Sequence, residues 1–227
     1  MQHHPGNFRA VRGVGSAFAV IAVIAVVIQW AAVVLRWIGY RTVAARYEGE
    51  ISSSDYKWAR DTLFPIEVGL WLMSFLAMLV AWIIVTVWLS RARANADTFT
   101  DATHRLSPPW AFWGWVVPVV SLWFPAVFVD DLDKVSAPRR RSRGLIASWW
   151  ITWVLAWITF WAGIVSLRMP DDHDTIQTMR DHEVDGLLIF SASRSASALL
   201  FTAAAGCLIV GIVRIGRAQA GWSDAAS

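Results

Sequence analysis

Four stretches of this chain are long and apolar enough to cross a bilayer, and nothing else in it restricts the fold as strongly. They are Ala17–Leu35, Pro65–Leu89, Leu145–Leu167 and roughly Leu187–Val213. At about 1.5 Å of rise per residue, each covers the ~30 Å of hydrocarbon in a bilayer. Inside that layer every backbone N–H and C=O needs an internal partner, so such runs form helices. Hydrophobic residues make up 56% of the chain and charged ones 16%, where a soluble domain carries about a quarter charged residues. The expected fold class is therefore an all-α integral membrane protein, a single helical membrane domain over residues 1–227. Arg9 and Arg12 ahead of the first run imitate a secretory leader. The run is longer than a leader's apolar core and no small-x-small cleavage site follows it, so it reads as a retained anchor.

A fifth stretch, residues 108–136, is apolar at its start but broken. Pro118 and Pro125 each remove a backbone donor, and each ring clashes with the carbonyl one turn back. Two such breaks suit a re-entrant or interfacial pair of half-helices better than a straight span. Pro125 can open a new helix at its first position. From there Val127, Phe128, Leu132 and Val135 fall largely on one side, with Asp130, Asp131, Asp133 and Lys134 as its solvated face. That pattern predicts a short amphipathic helix lying at the membrane surface, stopped by Pro138. The chain's sixteen tryptophans against three tyrosines fit residence at the bilayer interface, where a ring can be buried beside a wet N–H.

Positive charge favours the cytoplasmic side. If the broken stretch does not cross and the N-terminus is inside, twelve of the twenty Lys and Arg face the cytoplasm. If it crosses and the N-terminus is outside, the count is again twelve, so charge does not decide and the prolines do. The reading is four spans, a non-crossing fifth element and both termini cytoplasmic. The linker Arg36–Leu63 suits short surface helices around Ser52–Ser54, and a short polar tail follows Val213. The basic run Arg139–Arg143 directly precedes a span. It is a topology determinant that also meets anionic lipid headgroups, at about 1 kcal/mol per basic residue. A net charge of +3 is too small to argue for nucleic acid.

From Trp88 to Ser136 the chain resembles domain-of-unknown-function family 4328, bacterial multi-pass membrane proteins. Arg91, Asn95 and Ala96 match its Arg-x-x-x-Asn-Ala pattern. Ser107-Pro, Trp110, Gly114-Trp115, Pro118, Leu122-Trp123 and Pro125 follow in the family's order, then Asp131 and Lys134. Two positions depart: Ser121 stands where the family usually has Asn, and Asp133 where it usually has Trp. The resemblance implies a family and a topology, and no chemistry. It marks Arg91, Asn95, Trp110, Trp115, Pro118, Leu122, Trp123, Pro125 and Asp131 as structural motif residues.

Three polar residues fall inside or at the ends of spans: Gln29, Glu67 and Arg194. A charge there is costly and points to a named partner, and the expectation is a Glu67–Arg194 pair. Gln29 lies in line with Ala22, Ala25 and Ala32, a small-residue face suited to close helix packing. Ser195, Ala203, Cys207 and Gly211 suggest a similar face on the last span. Arg91 and Asn95, one turn apart, suggest a polar clamp on the broken stretch. The Trp149, Trp153 and Trp157 stripe suggests lipid-facing or helix-packing surface.

The acidic groups Asp130, Asp131, Asp133 and Asp171, Asp172, His173, Asp174 look like metal clusters. Neither has a second acidic motif at a known spacing, so no metal or cofactor is expected. No catalytic motif is present, and Cys207 is the one cysteine, which leaves no intrachain disulfide. The function expected is a non-enzymatic membrane module that binds a protein partner or itself. The alternative is a small transporter or channel using the broken stretch, with Gln29, Glu67 and Pro118 converging on a cavity. A lipid-active enzyme would need Asp131, His104 and the arginines gathered in one place.

Overall fold

A computed structural model describes residues 9–100, 103–138, 141–167 and 176–226. It is 88% helical, with no strand among the described residues. The elements are α1 (Arg12–Glu48), α2 (Ser53–Phe99), α3 (Trp110–Val116), α4 (Phe124–Ser136), α5 (Arg143–Val165) and α6 (Ile176–Ala226). A single 3-10 turn, Val120–Leu122, separates α3 from α4. Helices α1, α2, α5 and α6 are each long and apolar enough to cross a membrane.

Three of these helices run well past their apolar cores. The 37 residues of α1 and the 47 of α2 correspond to roughly 55 and 70 Å. The linker expected to carry separate surface helices is instead the continuation of both, because its Ala, Arg, Lys and Glu residues favour helix. Only a turn remains between them. Gly49 ends α1 with φ +78°, its N–H bonded to Arg46 O at 3.4 Å, while the Glu50 N–H reaches Ala45 O at 2.9 Å. That is the paired closure for which glycine is favoured. Ser52 opens α2 by accepting the Asp55 N–H at 3.1 Å. The polar tail expected after Val213 is likewise helix, and Ile215 and Gln219 within it are buried. Arg194 does not interrupt α6, since a charge breaks no backbone bond.

The described residues divide into two compact units, one drawn from residues 1–23, 78–152 and 203–227 and the other from residues 24–77 and 153–202. In the first unit, Trp88, Leu89, Ala92, Ala96, Phe128, Leu132 and Ile215 form the core. A Cβ on Gly15 would stand 2.8 Å from the Ile212 side chain, so α1 and α6 meet there only through glycine. In the second unit, a Cβ on Gly163 would stand 2.7 Å from Ser193 Cβ, and Ser197 Oγ donates to Ala156 O at 2.9 Å. Both contacts bring α5 close to α6, as small residues in membrane helices allow.

The broken stretch folds back on itself. Trp110 meets Phe124 edge-on with ring centroids 4.6 Å apart, and a Cβ on Gly114 would lie 3.3 Å from Phe124 Cβ. Val117 is extended (φ −72°, ψ 119°), as the residue before a proline tends to be. Val119 has φ 69° and ψ −61°, and the Val120 N–H reaches Pro118 O at 2.8 Å. This is a γ-turn of the rare, strained kind. Pro125 then sits in the first turn of α4. Seven and thirteen residues give helices of roughly 10 and 20 Å, each short of the hydrocarbon thickness.

Candidate functional site

The residues singled out by the family motif converge in the first unit. Asn95 is fully buried. Its Oδ1 accepts the Arg9 N–H at 2.9 Å and its Nδ2 donates to Arg9 O at 2.9 Å. Arg91, one turn earlier, donates to Ala10 O at 3.2 Å. Arg91 and Asn95 thus grip the chain ahead of α1 directly, and not the broken stretch as expected. Asn95 reaches the broken stretch through Gln219, whose Oε1 accepts from Nδ2 at 3.3 Å. Gln219 Nε2 in turn donates to Ala92 O at 3.0 Å and to Ser136 Oγ, at the end of α4, at 3.1 Å. Gln219 and Ser136 were missed from sequence. The available signal was the register Leu208, Ile212, Ile215, Gln219, which continues one face of α6 into the supposed tail.

The aspartates of α4 are not a solvated face. Asp131 and Asp133 are 5% and 2% exposed. Asp131 accepts the Arg105 N–H at 2.9 Å and Arg105 Nε at 2.6 Å. Asp130 accepts Arg105 at 2.6 Å and Arg141 at 2.5 Å. Asp133 accepts the Ser142 N–H at 2.9 Å and Arg214 at 2.5 Å. One turn of helix thereby ties down the 103–107 loop, the start of α5 and the end of α6. Helical spacing put these acids on a solvated side, whereas Asp131 and Asp133 are buried along with Phe128 and Leu132. What it could not supply was that arginines from three other segments arrive there.

Beside this cluster Arg93 holds Asp97 at 3.0 Å and donates to Leu106 O at 2.8 Å. The His104 ring is 1% exposed, with Nε2 3.6 Å from Asp97 Oδ1, and neither ring nitrogen has a hydrogen-bond partner among the described residues. Burial, with the Arg93 charge adding to it, holds His104 below the usual imidazole range, against the opposing pull of Asp97 and Asp131. Asp131, His104 and arginines are thus gathered in one place. The ring is closed off from solvent, however, and each Asp131 oxygen is taken by Arg105. Arg93, Arg105, Arg141 and Arg214 face Asp97, Asp130, Asp131 and Asp133, so the ion pairs cancel in charge. A balanced network of this kind holds a shape.

The remaining motif residues build the folded-back hairpin. Trp115 packs against Trp149 and Trp150, with centroids 6.3 and 6.2 Å apart. Trp150 Nε1 donates to Leu122 O at 2.7 Å. Pro125 is buried, whereas Pro118, Leu122 and Trp123 face outward. Of the tryptophan stripe on α5, Trp149 is buried, and Trp153 and Trp157 lie edge-on to Phe201 at 5.3 and 5.4 Å. It is a packing surface.

In the second unit Gln29, Glu67 and Arg194 are all buried, as are Ala25 and Ala32 in line with Gln29. The expected Glu67–Arg194 ion pair is not the one formed. Glu67 faces Arg36, with Nη1 3.6 Å from Oε1. The Arg194 guanidinium instead lies over Trp71, 2.9 Å from the ring centroid, with Phe160 at 4.1 Å. An apolar helix crowded with aromatic rings offers a cation π-faces closer than any carboxylate. The small-residue face expected on α6 is also displaced. Ala203 faces outward, and the buried seam runs through Ser197, Ala198, Phe201, Ala204 and Leu208. Bulky Phe201 and Leu208 hid it from a search for small residues. A hollow on α2 lined by Arg60, Asp61, Phe64 and Pro65 contains none of the residues singled out.

No group of three metal-ligating side chains occurs among the described residues. Asp171, Asp172, His173 and Asp174, with Arg139 and Arg140 of the basic run, lie outside the described residues.

Long apolar helices that bury amides and ion pairs, with apolar side chains turned outward, define a helical membrane protein. The chain belongs to the family Domain of unknown function (DUF4328), whose model matches residues 58–216. The match extends the motif region in both directions, and leaves α1 and Gln219 outside it. No curated protein and no solved structure matches the chain.

Proposed function

We propose that this chain is a non-enzymatic, multi-pass module of the bacterial plasma membrane that works by associating with a second copy of itself. Both termini are cytoplasmic, and the α3–α4 hairpin lies in the cytoplasmic leaflet without crossing. The observation that carries association is the outward face of α6. Thr202, Ala203 and Gly206 are exposed there, and nothing comes within 4 Å of where a Gly206 side chain would be. In hydrocarbon, where apolar surface alone gives helices little reason to meet, an uncovered strip of small residues favours close helix approach. The hairpin placement draws support from the exposure of Trp113, Val119 and Leu122 and from the basic residues Arg141 and Arg143 beside it.

Cysteine placed at Ala203 or Gly206 in a Cys207→Ser background tests the association. Oxidation in native membranes is expected to give a cross-linked dimer from these positions and none from Ile158, which faces outward on α5. Equal cross-linking at all three, or a monomer count in single-molecule photobleaching, would contradict it. For the topology, Ser54→Cys is expected to label from outside and Lys134→Cys, exposed at the end of α4, from inside; labelling from the same side removes the four-span model. A transport reading has one observation in its favour, the burial of Gln29, Glu67 and Arg194. It requires solute flux in liposomes that Glu67→Gln abolishes.

A further inference from the structure

The second unit contains a buried cluster whose charges do not balance. Arg36, Glu67 and Arg194 are 13%, 8% and 2% exposed at their side chains or as whole residues, and together carry one net positive charge. Neither guanidinium donates a hydrogen bond to a described residue, and the Nε of each is fully buried. The aromatic contacts do not remedy this. Trp71 and Phe160 meet the face of the Arg194 guanidinium, which eases its charge but leaves the N–H groups around its edge without acceptors. Arg36 is also 5.8 Å from the Phe190 ring, as is Arg194, so the two cations share a wall. The missing component is a single anion with several acceptor oxygens.

We propose that Arg36, Glu67 and Arg194 form a binding site for a phosphate-type oxyanion of one net negative charge. A guanidinium pairs with such an oxyanion through parallel N–H donors, a match no single carboxylate makes with two arginines at once. The phosphodiester of a membrane lipid and a small soluble phosphate share this chemistry. Arg36, the more exposed of the two, is the point of entry. Outward-facing Ile66 and Val68 on α2 and Ile189 on α6 provide apolar surface alongside for acyl chains. Glu67 sets the affinity: it holds Arg36 in place and competes with the anion for it. This site is separate from the proposed association face.

The test is native mass spectrometry of the full chain in mild detergent. The probes are dioctanoyl phosphatidylglycerol, inorganic phosphate, and dioctanoylglycerol, which has the same chains and no phosphate. One equivalent of phosphatidylglycerol, phosphate or both is expected to bind, and no dioctanoylglycerol. Binding of the lipid alone identifies a headgroup site, and binding of inorganic phosphate a soluble-anion site. Arg36→Gln with Arg194→Gln is expected to weaken binding at least tenfold. Arg36→Gln alone, at a partly exposed position, serves if the double variant does not give a helical, monodisperse sample. Glu67→Gln is expected to strengthen binding severalfold, because the competing carboxylate is gone. A purely structural trio would respond in the opposite direction or not at all. Equal retention of dioctanoylglycerol, unchanged binding in the arginine variants, or weaker binding in a folded Glu67→Gln overturns the proposal.

Discussion

Replacing Asn95 with leucine removes three hydrogen bonds at one stroke while nearly preserving volume. Two of them go to the Arg9 backbone. Arg9 is exposed, so water can take over its N–H and C=O, and each loss costs about 0.5–1 kcal/mol net. The third goes to Gln219 Oε1, which is fully buried and would be left without its donor, at about 1–3 kcal/mol. The sum is about 3 kcal/mol, on the order of a 100-fold shift in the folding equilibrium at 1.4 kcal/mol per decade. Gln219→Leu alone orphans Asn95 Nδ2 on that side and releases Ser136, for a loss of similar size. In the double variant the acceptor orphaned by the first change and the donor orphaned by the second are both absent. The double loss is therefore expected to fall short of the sum by about 1–2 kcal/mol, well outside the roughly 0.5 kcal/mol expected of independent sites. Reversible unfolding in mixed micelles of mild detergent and dodecyl sulfate, followed by circular dichroism, reads all four proteins. Additive losses would show that Asn95 and Gln219 do not act as a unit and refute the reasoning.

Three further outcomes follow from the same cluster and the hairpin. Asp133→Leu is expected to cost about 2–4 kcal/mol, the range for breaking a buried ion pair reduced because Arg214 is a quarter exposed; Asp133→Leu with Arg214→Leu should recover most of it, as the same micelle assay can read. Burial holds His104 below the usual imidazole value of about 6.5, so on acidification the unfolded chain takes up its proton before the folded one does. Stability should then decline as pH falls below about 6.5 and level off once pH is below the folded value, with Glu and Asp contributions removed by comparison with His104→Gln, whose profile should be flatter. Val119→Gly should stabilise by up to about 1 kcal/mol, because it relieves a β-branched residue at positive φ and removes a side chain that is 65% exposed; a loss above 1 kcal/mol in thermal unfolding would show that the turn is unstrained.

The helical membrane class, the four spans and the broken fifth element were legible in the chain itself, since each depends on local properties. Membrane-length apolar runs have only one way to satisfy their backbones, and prolines interrupt helices wherever they occur. Helix ends were less legible. Arg36–Glu48 and Arg214–Ala226 look like linker and tail because they are polar, yet their residues favour helix and nothing in them stops it until Gly49 in the first case. Asn95 and Asp131 stood out through a family pattern, which named positions without naming partners.

Partners were decided by tertiary structure alone. Whether an aspartate is solvated or buried depends on arginines eleven, twenty-six or eighty-one residues away, and no local pattern reports so distant an arrival. The same holds for Glu67, which meets Arg36 rather than Arg194, and for Arg194, which lies on rings from other helices. Spans and breaks follow from what the backbone requires of its surroundings, whereas the choice of partner follows from which side chains the packed helices bring within reach.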